Sequence, residues 1–148
     1  MNKTILLVDD NSSDVLLTTR ALKKSNIVNE IVVAKDGVEA LDYLFGTGKY
    51  AGRDIQQMPV VVLLDIRMPK MNGHEVLERI RNNPATKFMP VVMLTGSKDE
   101  IDIAKSYKNG CNAYVAKPVD FEQFTDAAKQ LGLFWLVLNQ APSATTKK

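Results

Sequence analysis

The stretch Val60-Val61-Val62-Leu63-Leu64-Asp65 decides the fold of this chain, because it joins an uninterrupted apolar run to a carboxylate. A strand that is apolar on both faces is typical of a parallel sheet with helices on either side. Four other short apolar runs have the same pattern. Residues 5–8 precede Asp9 and Asp10, residues 91–94 precede Thr95 and residues 113–116 precede Lys117, whereas residues 31–34 lead to nothing reactive beyond Lys35 and Asp36.

Segments with helical spacing separate these five runs. Strand and helix thus alternate five times, which predicts one parallel sheet with right-handed crossovers. The predicted apolar helix faces include Leu16, Val38 and Tyr107. The predicted helices begin near residues 11–14, at Gly37, at Gly73, at Ser97 and at Asp120. We expect a single domain over residues 1–140, with the last helix reaching about residue 138, and a disordered polar tail over 141–148.

Bulk properties exclude several classes of function. The chain has 148 residues, 45% of them hydrophobic, and a net charge of +2, which is too small to predict binding to nucleic acid. The longest apolar runs fall far short of the roughly 20 residues needed to span a membrane. Cys111 is the single cysteine, so a buried, unpaired thiol and a cytoplasmic location are expected.

The strand ends predict a cation site. In an open parallel sheet, ligands bind at the carboxyl ends of the strands, so Asp9, Asp10 and Asp65 should lie together. Three carboxylates at close range repel one another unless a cation intervenes, and Mg²⁺ suits one or two carboxylates plus waters. Each aspartate alone could simply cap a helix or begin a turn. The coincidence of all three favours a metal.

Lys117 and Thr95 belong to the same predicted edge. An ammonium at Lys117 would offset the aspartates and could hold an added anion, although an isolated Lys-Pro pair is more often an exposed turn. Asp65 follows the most hydrophobic run, so we expect it at the middle of the sheet, where it could act as a nucleophile for phosphoryl transfer. His74, the single histidine, is expected on the surface, away from the carboxylates.

Four motifs in order resemble the receiver domain of two-component response regulators. They are Val8-Asp9-Asp10, residues 64–73 (Leu-Asp-Ile-Arg-Met-Pro-Lys-Met-Asn-Gly), Leu94-Thr95 and Ala116-Lys117-Pro118. The resemblance covers about residues 3–132. It implies a flavodoxin-like α/β fold, (βα)5, with a doubly wound parallel sheet of order 2-1-3-4-5.

The same resemblance implies roles for individual residues. Asp65 would accept phosphate from a histidine kinase, and Lys117 would anchor it. Mg²⁺ would be bound by Asp10, Asp65 and the backbone carbonyl of Arg67, and through water by Asp9. Thr95 and Tyr114 match the family's switch pair, although Tyr114 could equally be a half-buried strand aromatic.

Several further segments resemble cyanobacterial phytochrome response regulators, which are stand-alone receivers that form homodimers and whose partner is a light-sensing histidine kinase. These are residues 10–14, the long 43–58 connection, residues 118–124 and Phe134-Trp135. The apolar end of the chain exceeds what packing of the last helix needs. We therefore expect a homodimer through the helix 4, strand 5 and helix 5 face and this stretch, namely Leu131, Leu133, Phe134, Trp135, Leu136, Val137 and Leu138.

Rival functions fit less well. A phosphatase of the haloacid dehalogenase type requires an aspartate where Arg67 stands, so an enzyme is not expected. A flavodoxin requires a phosphate-cradling loop where Asp9 and Asp10 would repel the ligand. A transcription factor is disfavoured because little chain remains after residue 140. One alternative stays open, a degenerate receiver that acts as a phosphate-independent interaction and dimerisation module.

Overall fold

Five parallel strands form one sheet in the computed structural model, which describes residues 4–24, 29–96, 100–117 and 121–130. The strand order is β2-β1-β3-β4-β5, and every neighbouring pair is parallel. The predicted fold class and strand order are confirmed. The strands are β1 (Ile5–Val8), β2 (Ile31–Ala34), β3 (Val61–Asp65), β4 (Val91–Thr95) and β5 (Ala113–Ala116).

Helices cover both faces of the sheet. They are α1 (Ser12–Lys24), α2 (Gly37–Phe45), α3 (Gly73–Arg81), α4 (Glu100–Lys108) and α5 (Phe121–Gln130). Alternate residues of each strand point to opposite faces. Leu6 and Val8 therefore pack in one core with α2 and α3, while Ile5 and Leu7 pack in a second core with Leu22 of α1 and Phe124 of α5.

The three inner strands carry the most deeply buried residues. Every residue of β1 and β3 is buried, as are residues 91–94 of β4, whereas Ile31, Val32 and Val33 of β2 are only partly buried. Burial of a Val, Leu or Ile side chain contributes about 1.5–3 kcal/mol, so these three strands contribute most of the apolar burial of the sheet. β2, which is followed only by Lys35 and the helix-capping Asp36, lies at the edge of the sheet as predicted.

Asparagine and aspartate side chains begin three of the helices. The Asn11 amide oxygen accepts a hydrogen bond from the Asp14 N–H at 3.0 Å, which begins α1. Asp36 and Asn72 act in the same way at α2 and α3. These are the residue types that best satisfy the free N–H groups of a helix start. The predicted starts at Ser97 and Asp120 lie outside the described residues.

Three predicted core positions are wrong. Leu16, Val38 and Tyr107 are half-exposed, at 51%, 48% and 51%. In α1 the buried residues are Thr18 and Leu22, which lie on one line of the helix, and Leu16 is turned away from that line. The adjacent residues Leu16 and Leu17 cannot both face the sheet, and in fact neither is fully buried. The spacing of apolar residues does not by itself predict which face of α1 packs against the sheet.

The long 46–58 connection packs against α2. The Tyr43 and Tyr50 rings meet edge to face at 5.0 Å, and the Arg53 guanidinium lies 4.0 Å from the centre of the Tyr43 ring. Arg53 also donates to the carbonyl oxygens of Tyr43 at 2.6 Å and Gln57 at 2.9 Å. These contacts hold the connection on the protein surface as a defined structure.

Cys111 is buried and unpaired, as predicted, and burial raises the pKa of its thiol to about 11. None of the described helices is long and apolar enough to cross a membrane. The predicted extension of the last helix and the predicted tail both fall at 131–148, outside the described residues.

Gly73 sets how closely α3 approaches the end of β3. Its N–H donates to the Ile66 carbonyl at 2.8 Å, and an added Cβ would lie 2.8 Å from the Ile66 Cα, which is backbone and cannot turn aside. We predict that Gly73→Ala lowers the free energy of unfolding by about 1–3 kcal/mol, measured by urea denaturation.

The control for this prediction is Gly96→Ala. An added Cβ at Gly96 would meet no atom within 4 Å, so its stability should change by no more than about 0.5 kcal/mol. Equal losses in the two variants would contradict the steric account.

Candidate functional site

The register of the sheet brings the reactive strand ends to one edge. Val8 of β1 pairs with Leu64 of β3, so Asp9 and Asp65 follow side by side. Thr95 of β4 pairs with Ala116 of β5, so Lys117 comes one residue later. Lys117 follows β5, which lies two strands from β3 and three from β1, and its side chain contacts both Asp65 and Asp9.

Three aspartates converge at this edge. Carboxylate oxygens of Asp9, Asp10 and Asp65 all lie within 4.8 Å of one another. Asp9 and Asp65 are buried, whereas Asp10 is exposed. Like charges this close repel one another, so the cluster favours the binding of a cation.

The Lys117 ammonium is the cation that the protein itself supplies. Its Nζ lies 2.7 Å from Asp9 Oδ2, 2.9 Å from Asp14 Oδ2 and 3.5 Å from Asp65 Oδ2. Burial lowers the pKa of Lys117, but the hydrogen bonds that it donates to Asp9 and Asp14 and the charge of Asp65 more than offset this, and the pKa is raised. The side chain is therefore a permanent positive charge at neutral pH.

The environment of Asp65 is unfavourable for its negative charge. Burial is the largest influence and raises its pKa from an ordinary value of 3.8 to about 6; Asp9 adds to the rise, while Lys117 and the Arg67 backbone N–H oppose it. At pH 7 the carboxylate is still mainly ionised. The Asp65 carboxylate is thus buried beside the Asp9 carboxylate, and the Lys117 ammonium neutralises part of their charge.

Comparison with known proteins identifies the family. The profile of the response regulator receiver domain matches residues 5–129. This chain belongs to the response regulator receiver family. Response regulator Rcp1 of Synechocystis sp. is 36% identical over 142 residues, which is 96% of this chain and 95% of Rcp1.

Solved structures extend the likeness of this receiver to phytochrome response regulators. The bacteriophytochrome response regulator AtBRR has a TM-score of 0.84 at 49% identity, covering 95% of this chain and 99% of AtBRR. The phosphorylated cyanobacterial phytochrome response regulator RcpA has a TM-score of 0.75 at 38% identity, covering 97% and 100%. The predicted family and the predicted likeness to stand-alone phytochrome response regulators are confirmed.

The donor set of this receiver fits a hard divalent cation. Asp9 already uses both oxygens, since Oδ1 accepts from the Asn11 N–H at 3.0 Å and Oδ2 accepts from Lys117. Asp65 likewise accepts from the Arg67 N–H, so which carboxylates contact a metal directly stays a prediction. Two carboxylates with room for water and further oxygen ligands suit Mg²⁺.

The structure gives the positions of Arg67, Thr95 and Tyr114, the other predicted site residues. The Arg67 N–H donates to the Asp65 carboxylate, and its side chain is exposed. Thr95 ends β4 at the reactive edge. Tyr114 is half-buried in β5, paired with Met93. Metal binding by the Arg67 carbonyl and the switch roles of Thr95 and Tyr114 stay predictions.

The prediction for His74 is wrong. It is 5% exposed and lines a groove of about 540 Å³ that also contacts Asp10, Arg67 and Lys105. His74 directly follows Gly73, which packs closely against the Asp65 and Ile66 backbone, so the first turn of α3 lies close to the end of β3. A histidine after a glycine at a helix start gives no sequence signal of this burial.

Asp14 is a site residue that sequence reasoning missed. Its carboxylate lies 2.9 Å from Lys117 Nζ, which is slightly longer than the Lys117–Asp9 ion pair and shorter than the Lys117–Asp65 one. An acidic residue in the first turn of a helix is usually explained by capping and the helix dipole. The pattern therefore gave no reason to assign Asp14 to the site.

The raised pKa of Asp65 predicts a pH dependence of stability in the metal-free protein. Between its unfolded value of 3.8 and its folded value of about 6, the native state holds a proton that the unfolded chain has released. Lowering the pH therefore stabilises the native state. In EDTA, going from pH 7 to 5 should raise the free energy of unfolding of the wild type by about 1 kcal/mol relative to Asp65→Asn.

The comparison with Asp65→Asn removes the contribution of all other titrating groups. Chemical denaturation at pH 7 and pH 5 gives the change in the free energy of unfolding for the wild type and for Asp65→Asn. Identical pH dependence in the two proteins would contradict the raised pKa.

Proposed function

We propose that this protein is a single-domain response regulator in which Asp65 accepts a phosphoryl group from a partner histidine kinase. One observation carries the proposal. Asp65 lies at the end of a fully buried central strand, within 4.8 Å of the Asp9 and Asp10 oxygens and 3.5 Å from the Lys117 ammonium. Family membership supports the same assignment.

The chemistry is a direct displacement at phosphorus. An Asp65 carboxylate oxygen forms the new P–O bond as the P–N bond of the donor phosphohistidine breaks. The electron pair stays on the imidazole nitrogen, which takes a proton from solvent. A carboxylate is already ionised at neutral pH and needs no general base, so the protein contributes mainly positioning and charge neutralisation.

Asp10 and Asp65, with the Arg67 carbonyl, would hold Mg²⁺ directly, and Asp9 would hold it through water. When bound, the ion offsets the negative charge of the phosphoryl oxygens. A solved structure of the relative Rcp1, described as its Mn(2+)-bound form, supports a divalent cation in this family; it is 35% identical to this chain, with a TM-score of 0.73, and covers 95% of this chain and 99% of that one.

Lys117 would anchor the phosphoryl group, because its ammonium is already held at the site by Asp9 and Asp14. Thr95 would turn its hydroxyl towards the new group, and Tyr114 would move inward. The consequence is a change in the surface formed by α4, β5 and α5. This is a two-state switch in which phosphate favours one state.

The kinase is proposed to be a phytochrome-type light sensor, which the names of AtBRR and RcpA support. The chain would act as a signalling protein and not as an enzyme, passing its signal on by contact with another protein. The net charge of +2 gives no support for a nucleic-acid partner.

Phosphorylation by a small phosphodonor with Mg²⁺ tests the site. The wild type should gain one acid-stable, base-labile phosphate, and Asp65→Asn should gain none, because the amide is not a nucleophile. The labelled fraction can be measured by intact mass.

Asp36→Asn is the matched control for labelling. Asp36 follows the edge strand β2 and caps α2, a role that asparagine also fills. It should label as fully as the wild type. Equal labelling of Asp65→Asn and the wild type would overturn the assignment of Asp65.

We also propose a homodimer formed by the α4, β5 and α5 face with the apolar stretch at 131–138. The run of apolar residues at 131–138 is the feature that supports an interface. Truncation after Gly132 should convert the dimer to a monomer in size-exclusion chromatography. Truncation after Gln140, which removes only the polar tail, should leave the dimer; an unchanged state after the first truncation would contradict the proposal.

A further inference from the structure

Lys117 divides one ammonium among three carboxylates that come from different parts of the chain. Its two short contacts are to Asp9 at 2.7 Å and Asp14 at 2.9 Å, and the contact to Asp65 is longer, at 3.5 Å. An ammonium has three N–H donors. Two of them are therefore directed to residues on the α1 side of the site, and the phosphoacceptor receives the weakest contact.

The start of α1 explains why the Asp14 carboxylate is available. Asn11 caps the helix, so Asp14 stands at the third helical position, where an acidic side chain commonly reaches back to the N–H of the capping residue. Here that N–H already donates to Asp9 Oδ1 at 3.0 Å. Asp9 thus takes the usual partner of Asp14, and the Asp14 carboxylate contacts Lys117 instead.

We infer that Asp14 is a positioning residue that draws the Lys117 ammonium away from Asp65. By doing so it leaves the Asp65 oxygen open to the metal and to the incoming phosphoryl group. The inference rests on the proposed function of Asp65 and adds a residue outside the predicted site. The Asp14 carboxylate contacts Lys117, and it acts through that residue.

The effect of removing the Asp14 carboxylate follows from this geometry. Lys117 would lose one of its two short partners and move towards Asp65, whose oxygen it already contacts. A positive charge there competes with a cation for the same oxygen. Asp14 is partly exposed, with 34% of its side chain accessible, so solvent moderates the interaction.

Mg²⁺ affinity measured by calorimetric titration with MgCl₂ tests the inference without any phosphodonor. Asp14→Asn should raise the Kd for Mg²⁺ by about two- to fivefold, the range that partly exposed ion pairs support. The matched control is Glu75→Gln. Glu75 is the exposed third residue of α3, a helix that is likewise capped by an asparagine, and this variant should leave the Kd unchanged.

A double-variant cycle separates positioning from a simple loss of charge. If Asp14 acts through Lys117, the effect of Asp14→Asn should shrink to less than about twofold in a Lys117→Met background. The same factor in both backgrounds would overturn the inference.

A second measurement needs no variant of Lys117. The ¹H–¹⁵N resonance of the Lys117 ammonium should shift in Asp14→Asn and stay in place in Glu75→Gln. An unmoved resonance in Asp14→Asn would overturn the inference. A wild type that binds no Mg²⁺ would overturn the proposed function as well, whereas normal binding in the wild type and in Asp14→Asn alike would overturn this inference alone.

Discussion

The ion pairs of Lys117 are the interaction on which the site depends. Three carboxylates, those of Asp9, Asp14 and Asp65, contact one ammonium at the carboxyl edge of the sheet, and a fourth, Asp10, lies within 4.8 Å of Asp9 and Asp65. Without Lys117 the buried Asp9 would be an uncompensated charge, which is strongly destabilising. With it, the edge still carries excess negative charge, which explains why the same residues fit a divalent cation and a phosphoryl group held beside that cation.

The sequence was sufficient to predict the sheet and the centre of the site. A strand that is apolar throughout, such as β3, predicts burial on both faces of the sheet. The alternation of strands with helices then allows only a few topologies of a parallel sheet. Once strand ends share an edge, Asp9, Asp65 and Lys117 have to lie near one another. The prediction of their proximity therefore rested on topology, and needed no knowledge of side-chain conformation.

The sequence was insufficient where the outcome depended on detailed packing. Leu16 and Leu17 are equally apolar, and both are half-exposed, because the buried side of α1 is the one that carries Thr18 and Leu22. His74 is buried because Gly73 lets α3 approach the backbone of β3. Asp14 belongs to the site because the Asn11 N–H, its usual partner, donates to Asp9 instead. The spacing of residues in the sequence does not predict which of the two carboxylates accepts this hydrogen bond.

Chemical mapping of the phosphorylated residue tests the central claim most directly. Borohydride reduces an acyl phosphate of aspartate to homoserine, which peptide mass spectrometry locates at a single position. After phosphorylation with Mg²⁺, the account predicts homoserine at position 65 and unaltered aspartate at positions 9, 10 and 14. Homoserine at any of those three positions, with Asp65 unaltered, would contradict it.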